Sequence, residues 1–352
     1  MFFCDPPGRS DPDSLHNYGR DVNELHYIFL HDQEPIHSDL HLPLFDDVKR
    51  RNGDIDNWAG PKRSGIITSE YNSEEVEKVC QQYGWQPFYY FFHGWAALDW
   101  YRGYDRSFLI LPPEQRKIIH SFISPNRIIG GKRDHRVLLM YQLLKKHIQN
   151  ALISFPRVCP VENLSATDIA KKFSNKYPDI IDVFNRADLP WNFPNETDHP
   201  MHSCWLSLFN ECHSSLAFVI TETVFSGRRN HLTEKTFKPI CMQMPFVMVS
   251  TANSLKYLRS YGFQTFGDLW DESYDDECDD DRRIEKIADL LISLDRLSDY
   301  EKQNLYQRAI PIIKHNHEHF YNGGFEKILW TELTDMMQSM KQHWGEYADP
   351  GI

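Results

Sequence analysis

Between Leu216 and Ser250 the chain carries two apolar runs, Leu216 to Thr223 and Pro245 to Ser250. They are separated by a basic turn (Gly227, Arg228, Arg229, Asn230, His231) and a short amphipathic segment that opens Thr233-Glu234-Lys235-Thr236. The runs are of strand length, rich in β-branched and aromatic residues, and lack polar alternation, which suits parallel strands buried on both faces. A helical pattern between two such strands calls for a strand–helix–strand crossover and sets an open α/β frame for the rest of the chain. The polar cluster then falls at the carboxyl end of a strand and the amino end of a helix. Ligands bind there in open α/β sheets, and backbone N–H groups there favour anions. A Glu beside a Lys at that point suits a nucleotide, the carboxylate accepting from ribose hydroxyls while the ammonium faces phosphate. The same pair also reads as a surface ion pair opening a structural helix. Two N-caps are open: with Thr233, Pro239 lies past the first turn and removes a backbone bond; with Thr236, it lies at the third helical position, where it is tolerated. Phe237, Ile240, Cys241 and Met244 share one face in either case.

The same strand–helix rhythm recurs upstream. His26 to Leu30 reads as a strand ending in the polar run His31-Asp32-Gln33-Glu34-Pro35-Ile36-His37, a candidate catalytic edge. Pro35 holds Glu34 extended. Residues 40 to 64 read as polar and turn-rich, and Gly65 to Ser69 as a second strand. Ser73 caps a helix reaching Tyr83, with Val76, Val79 and Cys80 on its apolar face. Pro87 to Phe92 is an aromatic strand delivering His93, which either touches an acceptor or phosphate or sits as a satisfied histidine at a strand end. Ser121 to Ser124 is a further strand. After the Gly130-Gly131 turn, Arg133-Asp134-His135-Arg136 open a helix, and Ala151 to Phe155 return as a strand. Arg127, Lys132, Arg133 and Arg136 cluster beside the Gly-Gly turn, an arrangement suited to a diphosphate leaving group and equally to a basic surface helix. The chain closes with helices over 254–261, 282–297, 298–320 (broken or kinked at Pro311) and 324–344, and with a short strand at 263–266.

At 352 residues the chain exceeds one usual core, so two domains are expected. No apolar stretch is long enough to span a membrane, and the first residues do not read as a secretory leader. Seven cysteines without a Cys-x-x-Cys pair suit reduced thiols in a cytoplasmic compartment. His202, Cys204, Cys212 and His213 lack the spacing of a zinc finger. A net charge of −12 disfavours a broad nucleic-acid-binding surface and leaves only a local basic groove at Lys49, Arg50, Arg51, Lys62 and Arg63.

Thr233-Glu234-Lys235 through Pro245-Phe246-Val247 resembles the donor domain of the α-1,3-fucosyltransferases of family 10, which belong to the GT-B glycosyltransferases. Arg133 or Arg136 is similar to an arginine entering a helix at the start of that domain, and Gln33-Glu34-Pro35 is loosely similar to a segment of the acceptor domain. The DQEP, HGWAALDWYR and NR…RDHR segments also resemble glycosyltransferase-like proteins of phages and large viruses.

The resemblance implies two Rossmann-like domains with parallel sheets facing a cleft, followed by trailing C-terminal helices. The domains fall at 1–118 on the acceptor side and 119–322 on the nucleotide-sugar donor side, with a helix over 323–352 packing back on the first. His31 to His37 and His93 would line one wall. It further implies transfer of a sugar from a nucleotide-sugar to an acceptor hydroxyl without an obligatory metal. Glu34 is the first choice for general base, with Asp32 and His93 as alternatives. Arg127, Arg133, Arg136, Thr233, Glu234, Lys235 and Thr236 form the donor-binding set. The acceptor is a glycan, a small molecule or, in a viral enzyme, a hydroxylated DNA base. A non-catalytic binding or virion protein on the same scaffold is the remaining alternative.

Overall fold

The computed structural model describes residues 2–4, 25–31, 34–51, 62–103, 107–193 and 205–344. The chain forms two compact units. One comprises Met1–Trp95, Gly227–His231 and Glu326–Ile352; the other comprises Ala96–Ser226 and Leu232–Phe325.

In the first unit the strands β1 (Phe2–Cys4), β2 (Leu25–His31), β3 (Lys62–Thr68) and β4 (Gln86–Tyr89) pair in sequence order, all parallel. Their crossovers include α1 (Ser38–Arg51) and α2 (Glu74–Tyr83). Successive residues of a strand face opposite sides. Ile66 joins Ile36, Phe45, Val76, Val79 and Trp85 in one buried cluster, whereas Ile67 packs with Phe88 and Leu30 in another. Ser73 caps α2 by accepting from the Val76 N–H, as its position before the apolar run predicts, and Gly84 closes the helix at φ 66°. The next helix, α3 (Phe92–Gly103), leads from the first unit into the second.

The second unit is a doubly wound sheet. Its strands β5 (His120–Pro125), β6 (Leu152–Ser154), β7 (Ser215–Thr221) and β8 (Phe246–Val249) run parallel in the order β6-β5-β7-β8. Every residue of β7 and β8 is buried, which explains their unbroken apolar runs. Between β5 and β6 lies α4 (His135–Lys145). The short helices α5 (Ala166–Ala170), α6 (Ile180–Arg186) and α7 (Phe209–His213) precede β7. β7 leads through α8 (Glu234–Cys241) to β8, and α9 (Ser254–Ser260) follows. α10 (Asp280–Asp295) packs on α4, and α11 (Asp299–Tyr321) on α8. The last helix, α12 (Gly324–Trp344), places Met336 and Met340 against the Ile67–Phe88 cluster of the first unit. No described helix is long and apolar enough to cross a membrane.

The α/β class with parallel sheets is as expected, and four local expectations are corrected. Of residues 40–64, expected to be turn-rich, those up to Arg51 belong to a helix that runs through Pro43, because Phe45 meets Trp85 (ring centroids 5.4 Å apart) and Leu42 joins the same cluster; 62–64 open β3, and 52–61 lie outside the described residues. The aromatic strand ends at Tyr89 rather than Phe92. Its partner β3 stops at Thr68, and the Phe92 N–H donates to the Ser69 hydroxyl (3.1 Å) as α3 begins. Residues 263–266 are irregular. Phe263 and Phe266 are buried, but the backbone N–H groups of Gln264 and Phe266 donate to Asn316 (2.7 Å) and Glu272 (2.8 Å) side chains instead of to a strand. Of the break or kink expected at Pro311, the break does not occur: α11 continues through it, with Ile310 and Ile313 buried beside it.

Candidate functional site

In the second unit the chain passes from β5 outward to β6 and then returns to the other side of β5 as β7. The strand order therefore reverses between β5 and β7, and the carboxyl ends of these two strands bound the crevice where doubly wound sheets bind ligands. Asn126 follows β5 and its side-chain oxygen accepts from the Thr221 hydroxyl at the end of β7 (3.0 Å), joining the two strands. Behind this bond lies Arg136, in the first turn of α4. It is buried, and its Nη groups donate to the carbonyls of Ile128 (2.8 Å), Thr221 (2.7 Å) and Glu222 (3.3 Å). Burial and the neighbouring Arg133 charge push Arg136 down to about 9, so it remains charged at neutral pH. Beside it, His135 stacks on Phe225 (5.1 Å, 10°). Burial, then the Arg136 and Arg133 charges, hold His135 far below the ordinary histidine range, in its neutral form.

β7 is followed directly by Glu222, whose side chain is fully buried. It accepts from the Thr233 N–H (3.1 Å), the Thr233 hydroxyl (2.6 Å) and the Thr236 hydroxyl (2.6 Å). Thr233 is the N-cap of α8, so Pro239 does lie past the first turn and deletes the bond to the Lys235 carbonyl. What offsets that loss at the amino end is the anchoring of α8 on Glu222, a carboxylate at the positive pole of the helix. Phe237, Ile240, Cys241 and Met244 are all buried, as their shared face predicts. This geometry presents Glu234 and Lys235 at the strand end. The Lys235 ammonium lies 3.2 Å from the hydroxyls of Thr223 and Thr233 and 3.5 Å from the Glu234 carboxylate. Glu234 and Glu222 are both among the charges that act on Arg136.

The structure thus brings Arg133, Arg136, Thr233, Glu234, Lys235 and Thr236 into one neighbourhood. Three of these have fixed internal duties: Arg136 is engaged by carbonyls, and Thr233 and Thr236 by Glu222. Arg127 follows Asn126 and is partly exposed, with an Nε that has no hydrogen-bond partner among the described residues. Gly130 precedes and Gly131 opens a single 3₁₀ turn (Gly131–Arg133), and α4 follows, whose Asp134 makes no side-chain cap bond.

The first unit gathers a different constellation at its own strand ends. Glu70, just after β3, is buried. It accepts from the Ile36 N–H and the Ser73 hydroxyl (2.7 Å), and Arg229 lies 3.4 Å away. Arg229 also donates to the Ile36 carbonyl (2.6 Å). Burial raises the Glu70 carboxyl above its ordinary range, against the opposing pull of Arg229. His31, the last residue of β2, is driven down to about 3, first by burial and then by His41, whose ring lies 4.9 Å away. His93 is buried in the first turn of α3, at 5.2 Å from the His231 ring. Glu34 is exposed in the turn after β2. Asp32, His202 and Cys204 lie outside the described residues. Among the described residues, no group of three or more His, Cys, Asp or Glu side chains is placed to hold a metal.

Sequence reasoning missed Glu70 and Glu222. The signal was present in each case as an Ile-Thr strand end followed by a carboxylate, Ile67-Thr68-Ser69-Glu70 and Ile220-Thr221-Glu222-Thr223. No family model matches the chain, and no curated protein or solved structure matches it either.

Proposed function

We propose that the chain is a glycosyltransferase that moves a sugar from a nucleotide-sugar donor to an acceptor hydroxyl, with the two-domain GT-B arrangement as part of that reading. The observation that carries it is the crevice at the β5–β7 reversal, where Arg127, Arg133, Lys235 and the starts of α4 and α8 gather beside a Gly-Gly turn. A departing nucleoside diphosphate develops negative charge, and preorganised cations and helix N-termini stabilise such charge without reorganising. In this reading Arg127, Arg133 and Lys235 face the diphosphate. Glu234 accepts from hydroxyls of the ribose or sugar, and Arg136 positions the crevice from within. The acceptor oxygen bonds to the anomeric carbon as the bond from that carbon to the diphosphate breaks. The acceptor proton passes to a general base, Glu34 by preference, with Asp32 and His93 as alternatives. The compartment is cytoplasmic, and no divalent metal is required.

The test is donor binding and turnover across a panel of nucleotide-sugars, for the parent chain and Glu234→Ala. The variant should lose donor affinity at least tenfold while keeping its circular dichroism and melting temperature. Undiminished affinity would remove Glu234 from the site. A chain that binds nucleotide-sugars but never releases sugar or product would instead be a binding protein on this scaffold.

A further inference from the structure

The turn over Pro160 to Leu164 brings one carboxylate against the Gly130-Gly131 backbone. Were a Cβ present on Gly130, it would lie 2.5 Å from a Glu162 carboxylate oxygen; on Gly131 it would lie 2.8 Å from the other. Gly131 in addition has φ +60°, which few side chains tolerate. Both glycines therefore leave room for an anion set on the turn between β5 and α4, at the strand reversal. We infer that the Glu162 carboxylate occupies the place that a phosphate of the ligand takes when bound, so that Glu162 is a resident competitor which ligand must displace. This rests on the proposed nucleotide-sugar reading of the same crevice.

Three features fit a displaceable occupant. A carboxylate and a phosphate are both acceptor-only anions, so a turn shaped for one receives oxygens of the other. The bond that holds Glu162 comes from the Cys159 thiol, a weak donor. The turn itself is anchored independently of the carboxylate. The Cys159 N–H donates to the Leu164 carbonyl (2.8 Å), the Asn163 N–H to the Cys159 carbonyl (3.0 Å), and the Ala166 N–H to the Arg157 carbonyl (2.8 Å). Release then requires only rotation of the partly exposed Glu162 side chain, with the backbone in place. Lys132 and Arg133 follow the turn directly, so the vacated position lies beside two cations in sequence.

The test is calorimetric titration of inorganic pyrophosphate, and separately of nucleoside diphosphates, into the parent chain, Glu162→Gln, Glu162→Ala and Gly130→Ala/Glu162→Ala. Glu162→Gln and Glu162→Ala should bind pyrophosphate at least tenfold more tightly than the parent. The double variant should lose that gain, because the added methyl fills the same space. Equal or weaker binding by the two single variants overturns the inference, as does a gain that survives Gly130→Ala. The two readings fail separately. Nucleoside diphosphates bound equally by all four chains sustain the crevice and overturn the competitor. Pyrophosphate bound in the expected order, with no nucleotide bound by any chain, sustains the competitor and overturns the nucleotide.

Discussion

The two sheets solve one local problem in opposite ways. Each carries an Ile-Thr strand end followed by a buried carboxylate, Glu70 after β3 and Glu222 after β7. Glu70 meets the guanidinium of Arg229, which also serves the Ile36 carbonyl. Cation and anion are buried together, and the charge of that region is spent internally. Glu222 instead takes two threonine hydroxyls and a backbone N–H at the start of α8. Its oxygens are taken by the helix start and by neutral hydroxyls, and Arg136 acts on it without a direct ion pair. A buried carboxylate paired to arginine makes a structural knot. A buried carboxylate that caps a helix builds a strand end that still presents cations to a ligand.

This contrast can be broken by substitution, and the largest effect should come from the knot. Arg229→Met leaves Glu70 buried without its cation and should cost about 3–5 kcal/mol in chemical denaturation. Because burial already raises the Glu70 carboxyl, the loss should shrink at acid pH, where protonation removes the orphaned charge. A loss below about 1 kcal/mol would mean that the pair is not the anchor described. Glu222→Ala should cost about 2–3 kcal/mol, since Thr233 and Thr236 keep buried hydroxyls without an acceptor. It should also weaken nucleotide binding, by letting Glu234 and Lys235 drift. Arg229→Met, by contrast, should change stability far more than nucleotide affinity.

Acid should sharpen the picture from another side. His31 is neutral in the folded chain, with its pKa lowered from 6.5 to about 3. Below pH 6.5 the unfolded chain takes up a proton that the folded chain refuses, so stability falls as pH drops from 6.5 towards 3. The slope from this one group is about 1.4 kcal/mol per pH unit. Glu70 acts in the opposite sense, because its raised pKa favours the fold below the ordinary value of 4.5 and loses that contribution as pH rises through the folded value. His31→Asn should flatten the acid limb of a stability–pH curve relative to the parent. Parallel curves would show that His31 is not held neutral. The smallest effect belongs to Arg228, adjacent to Arg229 but exposed and paired with exposed Glu77. Arg228→Ala should change stability by less than about 1 kcal/mol. A larger change would erase the distinction between the buried and exposed members of the turn.

Much of this was legible in the sequence because it was periodic. The unbroken apolar runs of β7 and β8, the Ser73 cap and the shared face of Phe237, Ile240 and Cys241 follow from local rules that tertiary packing did not override. Arg133, Arg136, Glu234 and Lys235 were grouped from their chemistry, and the strand order that brings them together was not written locally. Two things were hidden. The role of Arg136 depends on three carbonyls, two of them some 85 residues away in the chain. Glu70 and Glu222 looked like the polar edges of strands, because a buried carboxylate is distinguished from an exposed one only by partners distant in sequence. The helix over 38–51 was hidden for a related reason: its composition is polar and turn-rich, while the pairing of Phe45 with Trp85 that favours a helix joins residues distant in sequence.

The most direct test is thermal stabilisation of the purified chain by a panel of nucleoside diphosphates and nucleotide-sugars, with and without divalent metal. A ligand at about 100 times its dissociation constant should stabilise the fold by about 2.7 kcal/mol, an easily measured shift. The account predicts a shift with one nucleotide base, independent of metal and lost in Glu234→Ala. No shift with any member of the panel would contradict it, and the Glu222–Thr233–Thr236 arrangement would then be a helix anchor and nothing more.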